Sequence, residues 1–190
     1  DCEIIHHNNR EHKEKIAAEN NQETFGNLSS LLKCFELAKK DQSDLIYFVE
    51  DDYLHYEHSL VDMLNTYERV SSQHKDEIIV CPSDYPFNYM NNEKTNILIG
   101  SQQHWRTITK MLCTFMISKK MFQKHIENFE KTCEKRHEPF EKYLNKILES
   151  EIGISPIKSL AIHMTNVNSS YGLSPFIDIK KLWEENKIGQ

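Results

Sequence analysis

No apolar stretch in this chain approaches the roughly 18 residues that a membrane span needs, and no signal peptide is visible. A transmembrane protein is therefore not expected. The cysteines Cys2, Cys34, Cys81, Cys113 and Cys133 are odd in number, form no CxxC pair and mostly sit in apolar runs. They read as reduced core thiols of a cytoplasmic protein. Positive charge is also short: 23 Lys and Arg against 29 Asp and Glu leave a formal net charge of -6, with no basic stripe. That argues against a nucleic-acid partner, and an anionic ligand would need a metal or a few placed cations. Internal repeats and low-complexity linkers are missing too, so residues 1–190 read as one domain with a sizeable core and an irregular tail over 166–190.

What the chain does have is Leu45-Ile46-Tyr47-Phe48-Val49 running directly into Glu50-Asp51-Asp52. An apolar run without alternation predicts a strand buried on both faces, inside an α/β fold whose mainly parallel, mixed sheet is flanked by helices on both faces. The acids then sit at the carboxyl end of the strand, where ligands bind in such sheets. Three adjacent carboxylates repel one another, so a divalent cation, Mn²⁺ or Mg²⁺, is the expected occupant. If the chain stays extended, Glu50 and Asp52 project to one side and Asp51 to the other.

The rest of the chain supplies neighbours. Cys2 to Ile5 reads as a short strand before His6-His7, whose adjacent side chains point to opposite faces and make a poor metal pair. Gly26-Asn27 opens a helix carrying Leu28, Leu31, Leu32 and Phe35, with Asn27 as N-cap. Ser59 caps a helix with Leu60, Met63, Leu64 and Tyr67 on one face, and Glu77 to Cys81 is a second buried strand ending in the loop Pro82-Ser83-Asp84-Tyr85-Pro86. Strands follow at Asn96 to Gly100 and Met111 to Ile117, with Gln103-His104-Trp105-Arg106-Thr107 between them, and Ser118 caps the next helix. Pro139 suits a first helical position and would make Glu138 the N-cap of a helix carrying Leu144 and Ile147. Ser159 to Met164 is the last strand, and a terminal helix is expected around Leu182-Trp183.

The strand Leu45 to Val49 followed by Glu50-Asp51-Asp52 resembles the A-type (GT-A, Rossmann-like) nucleotide-sugar glycosyltransferases, which carry a metal-binding Asp-x-Asp motif at the end of a central strand. The resemblance extends over Cys2 to Met164. It implies transfer of a sugar from a nucleotide-diphosphate donor, a UDP-sugar favoured, to an acceptor hydroxyl of a glycan or glycoconjugate. It also implies a late histidine that joins Glu50 and Asp52 on the metal, and His163 at the end of Leu160-Ala161-Ile162 fits that position. Asp51 and Asn27 would contact the donor. Trp105 offers a stacking face and Arg106 a fork for phosphate oxygens. Glu138 and Asp84 are the two candidates for the acid-base group. The first strand and helix of the family do not appear, and the chain opens on Asp1, so a truncated start is expected. A nucleotidyltransferase acting on a sugar phosphate, a cation-dependent phosphohydrolase and a non-catalytic nucleotide-sugar-binding module remain as alternatives.

Overall fold

A computed structural model describes residues 3–16, 19–90, 92–165, 167–169, 172 and 177–187. Helix α1 (Gln22–Lys40) starts where the Asn21 side chain accepts the Thr24 N–H at 3.0 Å. The cap therefore lies at Asn21, and Asn27 is an exposed residue within the helix. The start expected at Gly26-Asn27 lies inside this helix, because one glycine costs a helix only about 1 kcal/mol and the capped, 19-residue element absorbs it. At the other end, the Lys119 ammonium donates to the carbonyls of Ala38, Lys39 and Asp41, satisfying acceptors that the helix leaves open. The preceding segment, residues 3–8, forms no strand; Cys2 lies outside the described residues. His7 and His12 both reach the Ser29 hydroxyl, at 2.8 and 2.9 Å, and His12 also meets Glu36, so these histidines fasten the segment to α1.

From α1 the chain enters β1 (Leu45–Phe48), the edge of a six-stranded sheet. The other strands are β3 (Ile78–Val80), β4 (Ile97–Ile99), β5 (His104–Ile108), β6 (Phe115–Ser118) and β7 (Ile152–Pro156), in the order β1-β6-β3-β7-β5-β4. Only β3 and β7 pair in parallel, so the sheet is mixed and mostly antiparallel rather than mainly parallel. β1 and β3 do point the same way, but β6 lies between them and runs against both. β4 and β5 are joined by a link too short for a parallel crossover and form a hairpin.

Side-chain alternation gives the sheet two apolar faces. Phe48, Ile79, Phe115 and Ile117 pack with α1, α3 (Lys119–Lys124), α4 (Ile126–Thr132) and α5 (Lys142–Ile147). Ile78, Val80, Trp105, Met116 and Ile154 pack with Met63 and Val70 of α2 (Ser59–His74). Helices thus cover both faces of an α/β fold. Ser118 caps α3 as expected, its hydroxyl accepting the Met121 N–H at 3.1 Å. The face of α2 differs from the expected one: Ser59, Asp62 and Thr66 are buried with Met63, while Leu60 and Leu64 face solvent. Three polar contacts rotate it: Ser59 donates to the Leu160 carbonyl, Thr66 accepts the Ser101 N–H, and Asp62 accepts from Gln103.

A second sheet holds β2 (Tyr53–His55) against β8 (Ala161–His163). Helix α6 (Ile179–Glu185) is capped by Asp178. Of the five cysteines, Cys34, Cys81, Cys113 and Cys133 are free thiols, all but Cys34 buried. Among the described residues no helix is long and apolar enough to cross a membrane.

Candidate functional site

Past Phe48 the chain does not stay extended. Asp51 and Asp52 form a turn, the Tyr53 N–H returns to the Glu50 carbonyl at 3.4 Å, and β2 begins. The acids are therefore divided by a bend rather than by strand alternation. Glu50 turns inward: its N–H donates to the Thr114 hydroxyl at 3.0 Å, and that hydroxyl reaches back to Glu50 Oε2 at 3.3 Å. Burial, then the charge of Asp52, and more weakly those of Glu141 and Asp51, raise the Glu50 carboxyl to about 7. Asp51 is exposed at the tip of the turn.

Asp52 and His163, joined in expectation only by the resemblance, come together. His163 Nε2 lies 2.9 Å from Asp52 Oδ2. The strand pairing enforces this contact, because Tyr53 opposes His163 and the Met164 N–H donates to the Asp52 carbonyl at 2.8 Å. The Tyr53 ring stacks on the imidazole at 4.9 Å, and its hydroxyl is hydrogen-bonded to that of the buried Tyr85. His163 Nδ1 is buried and has no hydrogen-bond partner among the described residues. The imidazole is thus fixed by stacking and by its Nε2 contact.

Among the described residues no three His, Cys, Asp or Glu side chains converge as a complete ligand set. Asp52 and His163, in direct contact at 2.9 Å, are both residue types that could hold a divalent cation. Glu50, whose charge interacts with that of Asp52, is the candidate third donor.

The raised Glu50 carboxyl has a testable sign. A folded-state value above the ordinary 4.5 means that folding is favoured while Glu50 is protonated, and that this advantage is lost as pH rises through about 7. Glu50→Gln should therefore stabilise the protein by about 2 kcal/mol, or about 5 °C in Tm, near pH 8 with divalent ions chelated, and change little near pH 5. Scanning calorimetry at the two pH values checks it.

Glu141 was not anticipated. The first i to i−4 bond of α5 runs from the Asn145 N–H to the Glu141 carbonyl, and the Lys142 N–H closes a turn on Pro139. Helix α5 thus begins at Lys142 with Glu141 as its N-cap, while Glu138 is exposed three positions earlier. Burial, and secondarily the charge of Glu138, lift the Glu141 carboxyl above its ordinary value. Pro139 drew attention to Glu138; the paired acids of Glu138-Pro139-Phe140-Glu141 were the available signal.

Asp84 and Arg106 bind each other. Arg106 Nη2 lies 2.6 Å from Asp84 Oδ1, the Tyr89 hydroxyl donates to the other carboxylate oxygen, and the guanidinium lies 3.8 Å above the Tyr89 ring. Asp84 is fully buried and Arg106 nearly so, and this cluster anchors the loop after β3. The base role expected for Asp84 and the phosphate role expected for Arg106 are replaced by this ion pair. Arg106→Ala would leave a buried carboxylate without its cation and should cost about 3 kcal/mol in urea denaturation. Trp105 belongs to β5 and is fully buried in the α2-side core, so it offers no stacking face. Asn27, the expected cap and donor contact, is a surface residue of α1.

In comparison with known proteins, no family model matches the chain and no curated protein shows significant similarity to it.

Proposed function

We propose that the chain is a metal-dependent glycosyltransferase of the A-type, moving a sugar from a nucleotide-diphosphate donor, a UDP-sugar favoured, to an acceptor hydroxyl of a glycan. The observation that carries this reading is the acidic turn at the end of β1, held against His163 by the β2–β8 pairing. Asp52 and His163 would hold Mn²⁺ or Mg²⁺, with Glu50 as a third donor. The cation's contribution is to offset the negative charge that develops on the departing diphosphate. Asp51, exposed at the turn, would contact the ribose or sugar of the donor. Glu141 takes the role expected of Glu138: a half-buried carboxylate with a raised proton affinity suits acceptance of the proton from an attacking hydroxyl.

The test is thermal unfolding with UDP-, GDP- and dTDP-sugars, each with and without Mn²⁺. A donor at a hundred times its Kd should stabilise the protein by about 2.7 kcal/mol, and only when Mn²⁺ is present. Failure of every nucleotide sugar to stabilise it would overturn the proposal. Pyrophosphate release from a nucleoside triphosphate and a sugar phosphate would replace it with the nucleotidyltransferase reading.

A further inference from the structure

A separate cleft of about 340 Å³ opens between the first turn of α2, the loop joining β4 to β5, the segment joining β7 to β8, and the start of α6. It lies at the opposite end of the β2–β8 ribbon from the acidic turn. At the cleft end the Tyr56 N–H donates to the Leu160 carbonyl at 3.0 Å, whereas Met164 and Asp52 are joined at the other end. Tyr56 lies four positions beyond Asp52 along extended chain, roughly 13 Å. The two sites are therefore distinct.

The inner wall of the cleft contains Asp62, which is 1% exposed. Its Oδ1 accepts the Thr66 hydroxyl at 3.2 Å and its Oδ2 accepts Gln103 Nε2 at 3.1 Å. Both donors are neutral, and among the described residues no cationic side chain pairs with this carboxylate. A buried carboxylate held only by neutral donors is costly, and each of its oxygens keeps a lone pair to share. Gln103 is fixed at both ends, since its Oε1 accepts the Lys158 N–H at 3.1 Å, so the carboxylate is held in place. The rings of Tyr56 and His58, 5.9 Å apart, form an aromatic wall. At the mouth stand two exposed cations, Lys158 and Lys181; the latter is 3.6 Å from Glu185, and Asp178 is occupied in capping α6. The cleft thus places a negative charge inside and positive charge at its entrance.

We propose that this cleft binds a small zwitterion, with its primary ammonium on Asp62, its short methylene body against Tyr56 and His58, and its phosphate or carboxylate on Lys158 and Lys181. The ammonium supplies the charge that Asp62 lacks, and the anionic end stays near water with the lysines. This site is independent of the proposed sugar transfer.

Three matched probes test it on the intact chain by calorimetry or ligand-observed NMR: phosphoethanolamine, 2-hydroxyethyl phosphate, which lacks the amine, and ethanolamine, which lacks the phosphate. Phosphoethanolamine is expected to bind best. Replacing its amine by hydroxyl, or Asp62 by Asn, should weaken binding roughly tenfold or more, since a hydrogen-bonded charge is lost. Ethanolamine, or Lys158→Ala, should bind several-fold more weakly, as befits an exposed cation. The comparison of probes on the parent protein needs no variant, and Lys158→Ala alters only a surface residue, so misfolding of Asp62→Asn would not obscure the result. Equal binding of 2-hydroxyethyl phosphate and phosphoethanolamine, undiminished binding by folded Asp62→Asn, or no binding of any probe at about 10 mM would overturn the proposal.

Discussion

Asp52→Ala is expected to lose about a thousandfold or more in sugar-transfer turnover while unfolding within a few degrees of the parent chain. The two halves of this expectation have separate causes. Asp52 is about one-third exposed in a turn, and its contact with His163 is the partly solvated kind that contributes at most about 1 kcal/mol to folding. Stability should therefore barely change. The same carboxylate is the central donor of the proposed cation site, and a positive charge aimed at the leaving diphosphate acts on the transition state rather than on the folded chain. Donor consumption in Mn²⁺, measured beside a thermal melt, separates the two. Retained turnover in a folded variant would sink the mechanism.

Trp105→Ala should have the opposite signature, costing about 3–5 kcal/mol of stability and on the order of 10 °C in Tm. Trp105 is fully buried, and the chain is fitted around it: a Cβ added at Gly100 would lie 2.2 Å from both Cδ1 and Nε1 of its ring. Gly100→Ala should therefore also destabilise, because a β-strand neighbour and α2 confine the indole from other sides. The indole N–H has no partner among the described residues. Trp105→Phe should accordingly cost less than Trp105→Ala, since it keeps much of the ring volume and removes an unsatisfied donor. Urea denaturation of the three variants gives the order. Unchanged stability in Trp105→Ala would restore Trp105 as a surface platform.

The contrast between Asp52 and Trp105 marks what the sequence could disclose. The apolar run into Glu50-Asp51-Asp52 located an acid-tipped strand because both its composition and its punctuation are local. Ser118 declared its cap for the same reason, whereas His163 is joined to Asp52 only by the resemblance, which implies a late histidine beside the acids. Strand direction was not legible: the insertion of β6 between β1 and β3 depends on pairings remote in the chain. β7 was not anticipated, since Gly153 and Pro156 interrupt its short apolar run, and Trp105-Arg106 falls between the expected strands because its two buried residues follow no simple alternation. The inward polar stripe of α2 and the Asp84–Arg106 pair likewise answer partners that periodicity does not record. Glu141 was missed by three residues: Pro139 suits a first helical position and makes Glu138 the cap, whereas the helix begins at Lys142 with Glu141 before it.

The β2–β8 ribbon also imposes an order of events. The contact from Ser59 to Leu160 that accompanies it spans 101 positions, so closing the ribbon requires a long loop to be ordered late. Helix α1 and the β4–β5 hairpin involve near neighbours and can form long before it. During refolding, helical circular dichroism should thus recover ahead of any affinity for Mn²⁺. During synthesis, a nascent chain that has not yet delivered Ala161–His163 displays the acids without their histidine. The proposed cation site would be among the last features of the molecule to mature.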